Sequence, residues 1–147
     1  MRAFHVLEKD LSITGYRALE ASAGTGKTFS IQHVALRLIL EEKIPLEEIL
    51  LVTFTKASTR ELKSRVRANI EEVLSHLRKG KSLYPYVGNC EKKEAIHRLE
   101  KALFTFDEAS IYTIHGFCHH ILKEHAFISG LCLEQKLVEE QELILLQ

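Results

Sequence analysis

Apolar positions between residues 27 and 42 fall almost all round the helical wheel (Ile31, Val34, Ala35, Leu36, Leu38, Ile39, Leu40). That pattern predicts a helix buried against a sheet, ending ahead of Pro45. A short apolar segment at residues 18–21 precedes it and reads as a strand leading into a glycine-rich turn. Residues 49–54, Ile-Leu-Leu-Val-Thr-Phe, form a continuous apolar and β-branched run of strand length, the signature of a parallel strand covered on both faces. Strand, loop, helix and strand together predict a βαβ unit.

From residue 57 to 79 the period turns helical, with Leu62, Val66, Ile70, Val73 and Leu77 on one face and Lys56, Arg60, Lys63 and Arg67 on its neighbour. Residues 80–89 gather Gly, Pro and Asn, which predicts a loop dividing the chain into two lobes. Beyond it, Ala95, Ile96, Leu99, Ala102, Leu103 and Phe106 mark a helix of about four turns. Residues 111–114 (Ile-Tyr-Thr-Ile) suggest a short strand, and another helix starts near Gly116. The last stretch, 136–147, is a helical pattern with no Gly, Asn or Pro to stop it, so the chain reads as cut in mid-helix. Leu137, Val138 and Leu143 to Leu146 would then leave an apolar patch suited to self-association.

Composition narrows the class. At 147 residues the chain fits one domain or a piece of a larger one, and 46% apolar residues with 2 Pro support a real core. Three cysteines without Cys-x-x-Cys spacing speak against a disulfide framework or a zinc ribbon. The early charges of the N-terminus do not resemble a signal peptide, and no uncharged run approaches a membrane span, so a cytoplasmic location is expected. Formal net charge is zero. Yet residues 56–101 hold 12 Lys or Arg against 6 Asp or Glu, a local excess of six positive charges compensated elsewhere.

Residues 21–28 read Ala-Ser-Ala-Gly-Thr-Gly-Lys-Thr, the Walker A pattern with Ala in place of its first Gly. Ala21, Ser22, Ala23, Gly24, Thr25 and Gly26 would cradle phosphates. Gly24 and Gly26 allow positive φ, which turns successive N–H groups inward at the start of a helix whose dipole adds to the field. Lys27 supplies a cation to the β and γ phosphates. Thr28 offers a hydroxyl to Mg²⁺, an oxygen-seeking ion that keeps several waters. ATP and Mg²⁺ are therefore the expected cofactors, with Lys27 and Thr28 as the catalytic pair.

The strings LEASAGTGKTFSI, ILLVTFTKASTRELKSRVR and DEASIYTIHGFC, in that order, resemble the opening of the RecB-type family (exodeoxyribonuclease V beta subunits) of UvrD-like superfamily 1 helicases. The likeness runs from about Leu11 to Gly130. It implies an α/β fold, the N-terminal part of a RecA-like P-loop NTPase domain with a parallel sheet flanked by helices. Residues 1–79 would be the phosphate-loop βαβ unit, 90–130 a helix, strand and helix with the TIHGF motif, and 131–147 the start of the next helical subdomain. The resemblance makes 21–28 helicase motif I. Thr53, Phe54, Thr55, Lys56 and Ala57 become a motif that touches single-stranded DNA, and Thr113, His115 and Phe117 the next one.

Residue chemistry is compatible with this. Phe54 can stack on a base, which is worth about 1–3 kcal/mol, and threonines can bind phosphates without reading sequence. Taken alone, Phe54 reads as a core aromatic closing a buried strand. The basic face of the second helix suits either a solvated surface or DNA. The resemblance further implies a 3′ to 5′ translocase with a C-terminal nuclease, working with RecC-type and RecD-type subunits at duplex ends in double-strand-break repair and recombination. The DExx box, the second domain's arginines and the nuclease residues would lie outside this chain, so the fragment alone should not hydrolyse ATP. One departure concerns adenine. The family's Gln ahead of the first strand has no counterpart before Gln32, and Thr14 falls near its place.

Two further patterns compete for attention. Phe104 to Glu108 imitates a Walker B strand with Asp107 on Mg²⁺, which would make a self-sufficient small ATPase or nucleotide kinase. The upstream spacing is helical, so Asp107 and Glu108 are expected to end a helix. His115, Cys118 and His119 share a helical face, but no fourth metal ligand follows at a recognised spacing, and packed or surface histidines are the expectation. A non-catalytic interaction module is the third alternative.

Overall fold

The computed structural model describes residues 4–20, 22 and 24–126; the terminal helical pattern at 136–147 lies outside them. Among these residues four α-helices, α1 (Lys27–Leu40), α2 (Lys56–Arg78), α3 (Lys92–Phe104) and α4 (Ile114–Glu124), accompany two strands, β1 (Leu51–Thr53) and β2 (Ile111–Thr113). The strands pair in parallel with Leu51 opposite Ile111, Val52 opposite Tyr112 and Thr53 opposite Thr113. Helices α2 and α3 form the crossover between them. The α/β class with a parallel sheet is as expected.

The 3.6-residue period of α2 puts Leu62, Val66, Ile70, Val73 and Leu77 into the core, where they meet Leu36, Ile39 and Leu40 of α1 and Ala95, Leu99 and Ala102 of α3. The loop at 80–89 does not separate two lobes. Its Pro85–Asn89 segment is a 3-10 turn with Tyr86 and Val87 fully buried, and one core cluster joins residues on both sides of it. Two large side chains pointing inward outweigh the turn-forming bias of the surrounding Gly, Pro and Asn.

Two strand expectations are corrected. Residues 18–20 pair with no strand, and Leu19 is exposed; among the described residues the sheet has only β1 and β2, so that segment has no neighbour to bond. Parallel β1 is packed on one face only: Leu51 adjoins the core, while Leu50 and Val52 are each more than 40% exposed. Continuous apolarity over 49–54 marks a strand that could be covered twice, and the described residues cover it once.

Helix α1 holds the largest surprise. Read as apolar nearly all round, it exposes Ile31 and fully buries His33 and Arg37. The Arg37 guanidinium donates to the carbonyls of Val6 (2.9 Å), Glu8 (2.7 Å), Lys9 (3.4 Å) and Leu11 (2.8 Å) and to both oxygens of Glu41 (2.7 and 3.1 Å). Its Cζ lies 4.9 Å from the centre of the Tyr86 ring. Asn89 Nδ2 donates to the same Lys9 carbonyl and to Glu41. Residues 6–11 thus form a strap tied to α1 by backbone carbonyls, an arrangement that no side-chain pattern in the strap announces.

His33 Nδ1 shares a 2.7 Å hydrogen bond with the Tyr86 hydroxyl, and its Nε2 has no partner among the described residues. Burial holds the imidazole neutral, with its pKa pushed down to about 4 from 6.5.

Arg37→Ala should destabilise the chain by about 3–5 kcal/mol in chemical denaturation, and Arg37→Lys should restore little, since an ammonium cannot span four carbonyls and a carboxylate. Proteolysis should then nick residues 6–11 first. His33 stays neutral in the fold but protonates near its ordinary pKa when unfolded, so the unfolded state binds the extra proton between about pH 6.5 and 4. Stability should therefore be complete above that window and fall as pH drops through it, by up to roughly 3 kcal/mol. A pH series of denaturation midpoints should lose this slope in His33→Phe.

Candidate functional site: a phosphate loop and a strand-end edge

Gly24 (φ 78°) and Gly26 (φ 90°) both adopt the left-handed region, as the phosphate-loop reading requires. Gly26 is the N-cap of α1 and makes no side-chain cap, so the first-turn N–H groups of α1 are not taken by a capping side chain. The turn closes on the Ser22 carbonyl, which accepts from the Thr25 hydroxyl at 2.7 Å and from Lys27 Nζ at 3.2 Å. Lys27 therefore lies back across the loop it follows. Thr28 is half-buried one residue further on. Ala21 and Ala23 lie outside the described residues. Two left-handed glycines, a helix N-terminus, a lysine and a hydroxyl are chemistry that fits a nucleotide's phosphates and their magnesium.

At the C-terminal ends of β1 and β2 the two remaining motifs come together. Thr53 stands opposite Thr113 in the parallel register. Thr55 caps α2 by accepting from Ser58 N at 3.0 Å, and Thr113 caps α4 by accepting from Gly116 N, also at 3.0 Å. Two threonine-capped helix N-termini thus open side by side at one edge of a parallel sheet, the edge where α/β folds bind ligands. Phe54, between the caps, is 86% exposed. It is not the core aromatic that its position in an apolar run suggests, because the chain turns into α2 immediately after it.

Lys56 and Ala57 in the first turn of α2 and His115 in the first turn of α4 are exposed. Phe117 is half-buried and tilts against Tyr112 at 6.3 Å, while His120 stacks on the same ring at 5.1 Å, so Phe117 also pins α4 to β2. The Thr53 hydroxyl is engaged within the turn, 2.6 Å from that of Thr59.

The basic side of α2 is partly consumed within the molecule. Arg65 and Arg67 pair with Glu61 and Glu71, and Lys63 and Arg67 sit 5.9 and 5.2 Å from the centre of the Phe106 ring. Lys56 and Arg60 are exposed nearest the strand-end edge.

Asp107 and Glu108 lie in a 3-10 turn after α3 and before β2, exposed and not at a strand's end, so Asp107 has no Walker B geometry. His115, Cys118 and His119 share no metal-sized cluster of His, Cys, Asp and Glu among the described residues. No helix of the described residues is long and apolar enough to cross a membrane. Sequence reasoning missed His33, Arg37, Tyr86 and Asn89. The one available signal was the four-residue spacing of Phe29, His33, Arg37 and Glu41, hidden among the apolar positions of α1.

A glycine loop at a helix N-terminus and paired helix N-termini at the C-terminal edge of a parallel sheet define the class: an α/β module with a P-loop-type turn. The sequence profile of the UvrD/REP helicase N-terminal domain matches residues 7–146, and the chain belongs to that family. Among curated relatives, the RecB subunit of the RecBCD enzyme from Escherichia coli K12 is 42% identical over 147 aligned residues, covering 91% of this chain and 12% of that protein. RecB from Chlamydia trachomatis is 42% identical over 133, covering 85% and 13%. RecB from Haemophilus influenzae is 38% identical over 148, covering 88% and 12%. The chain thus spans about an eighth of the length of the curated relatives it matches.

An added Cβ on Gly116 would lie 3.0 Å from Thr113 Oγ1. Gly116→Ala should therefore cost about 1 kcal/mol by displacing the cap, as should Thr55→Ala at the other helix. Amide exchange should show fraying confined to the first turns of α4 and α2 respectively.

Proposed function

We propose that this chain is the phosphate-binding part, and part of the single-stranded DNA track, of an ATP-dependent DNA helicase of RecB type. The observation that carries the reading is the in-register meeting of Thr53 and Thr113, which sets two capped helix N-termini and the exposed Phe54 ring on one edge. Such an edge offers the first-turn amides its caps leave over, the Thr113 hydroxyl proton and the exposed Lys56 to successive phosphates and a ring to a base, a grip indifferent to sequence as a translocating motor needs. Residues 21–28 hold the nucleotide: the loop amides and Lys27 bind phosphates, and Thr28 faces the magnesium, whose charge offsets that developing on the phosphate oxygens.

In the whole protein this segment opens the first motor domain, with 1–79 bearing the phosphate loop and first DNA motif, 90–130 the second, and 131–147 entering the next subdomain. That protein is a cytoplasmic 3′ to 5′ translocase and nuclease, joined by RecC-type and RecD-type subunits at duplex ends in recombinational repair. Supporting this are the family match and RecB relatives similar over most of the chain. The segment by itself does not hydrolyse ATP, because water activation and transition-state charge need an acid and arginines that other parts of the motor supply.

In the full-length protein, Lys27→Ala should abolish ATP-driven unwinding while single-stranded DNA affinity, read by fluorescence anisotropy, changes less than about threefold, since DNA and phosphate sites use different residues. Unwinding that survived this change would remove the loop from the mechanism. For the isolated chain, ATP with Mg²⁺ should raise the melting temperature by mass action, and no phosphate release should be detectable.

A further inference from the structure

Phe29, His33, Arg37 and Glu41 follow one another at four-residue intervals, so they form a single stripe along α1, starting one residue after the phosphate-loop threonine. Each touches the next structure in line. The Phe29 ring lies 4.3 Å from that of His33. His33 meets Tyr84 edge-on at 4.6 Å and bonds to the Tyr86 hydroxyl, and Tyr84 and Tyr86 stack on each other at 5.7 Å with their planes 9° apart. Arg37 covers Tyr86 and holds the N-terminal strap. A path of packed rings therefore runs from the tyrosine turn to the first turn of the helix that carries the loop. Gly26 itself faces it, since an added Cβ there would lie 3.9 Å from Phe29 Cβ.

His33 is the odd member. It is fully buried, with Nδ1 bonded to the equally buried Tyr86 hydroxyl and Nε2 unpartnered among the described residues, a polar atom that the packing leaves unsatisfied. We propose that His33 is a positioning residue for the phosphate loop: wedged between Phe29 and the two tyrosines, it fixes the first turn of α1, and thereby the amides and Lys27 that receive ATP. The inference rests on the nucleotide-binding reading of residues 21–28.

The groups around the imidazole favour its neutral form. Tyr84 and Tyr86 from the turn are themselves held protonated, their pKa values raised first by burial, and Arg37 approaches from the next turn of α1. Glu41 beyond Arg37 and Glu72 of α2 act on the tyrosines, and Glu41 is neutralised by Arg37. A proton on His33 would have to enter this packed site, so acid favours states in which the ring has left it. Nucleotide affinity and His33 protonation then oppose each other by linkage.

The test uses the full-length protein with ATP and Mg²⁺. His33→Ala should raise the KM for ATP roughly fivefold while kcat at saturation stays within about twofold, and amide exchange at residues 27–30 should speed up without nucleotide present. His33→Phe restores the ring packing but not the bond to the Tyr86 hydroxyl, and should recover part of the KM at pH 7.5. It should also lose the extra weakening of ATP binding that the unsubstituted protein shows between pH 7 and 5, measured with a fluorescent ATP analogue. If His33→Ala fails to fold, Tyr86→Phe removes only the hydroxyl and should raise KM in the same direction. A merely structural role predicts instead a lower yield of active protein with KM unchanged, and that result overturns the proposal. So does an acid-side weakening identical in His33→Phe. A protein without ATP hydrolysis or binding before any substitution would overturn the nucleotide reading itself.

Discussion

The Arg37 guanidinium is the contact on which the rest of this fold leans. A cation with almost no exposed surface must find partners for all five donors, and here it finds four strap carbonyls and a carboxylate. The consequence reaches outward in three directions. Residues 6–11, of which Val6 is buried and Leu7 packs against the core, are tied down by their own backbone carbonyls as well. Tyr86 is held beneath the cation, which brings the 80–89 segment into the core. Asn89 and Glu41 then close the ring of polar contacts between α1 and the turn before α3. A buried charge of this kind favours one arrangement less by added stability than by the penalty on every alternative that would leave it unpaired.

The candidate site's residues sit at element ends for a related reason. A helix N-terminus has N–H groups with no internal acceptor, and a parallel sheet collects several such ends at one edge. In α1 the cap is a glycine with no side chain to bond the first turn. In α2 and α4 threonines cap the helices and put hydroxyls at the sheet edge. The strand-end aromatic Phe54 stays in solvent because neither core face is within its reach after the turn. The same local rules that terminate strands and start helices therefore assemble the candidate site.

Legibility followed the range of the interactions. The turn at Gly24 and Gly26 was readable because it is local: positive φ at two glycines, with a lysine and a threonine at fixed offsets starting the helix. The core face of α2 was readable because five apolar residues repeat at helical spacing. Burial of Tyr86 was not readable, since Gly, Pro and Asn around it signal a surface loop and only the distant His33 and Arg37 supply the partners that let a tyrosine go inside. Nor was the missing strand at 18–20, because a strand is a property of a pair. Apolar residues announce the willingness to be covered, and the neighbour that covers them is not written in the segment.

By itself, then, the sequence determined the four described helices and the left-handed glycine turn, which depend on local spacings, and the family, which depends on three short strings in order. Only the tertiary structure decided that Thr53 and Thr113, sixty residues apart, stand side by side, that the strap is tied to α1, and that His33 and Arg37 are buried. Those outcomes depend on which carbonyls, rings and strand ends meet after the chain has folded back on itself. A backbone carbonyl accepts hydrogen bonds equally well whatever side chain it carries, so no residue code could foretell which four Arg37 would choose.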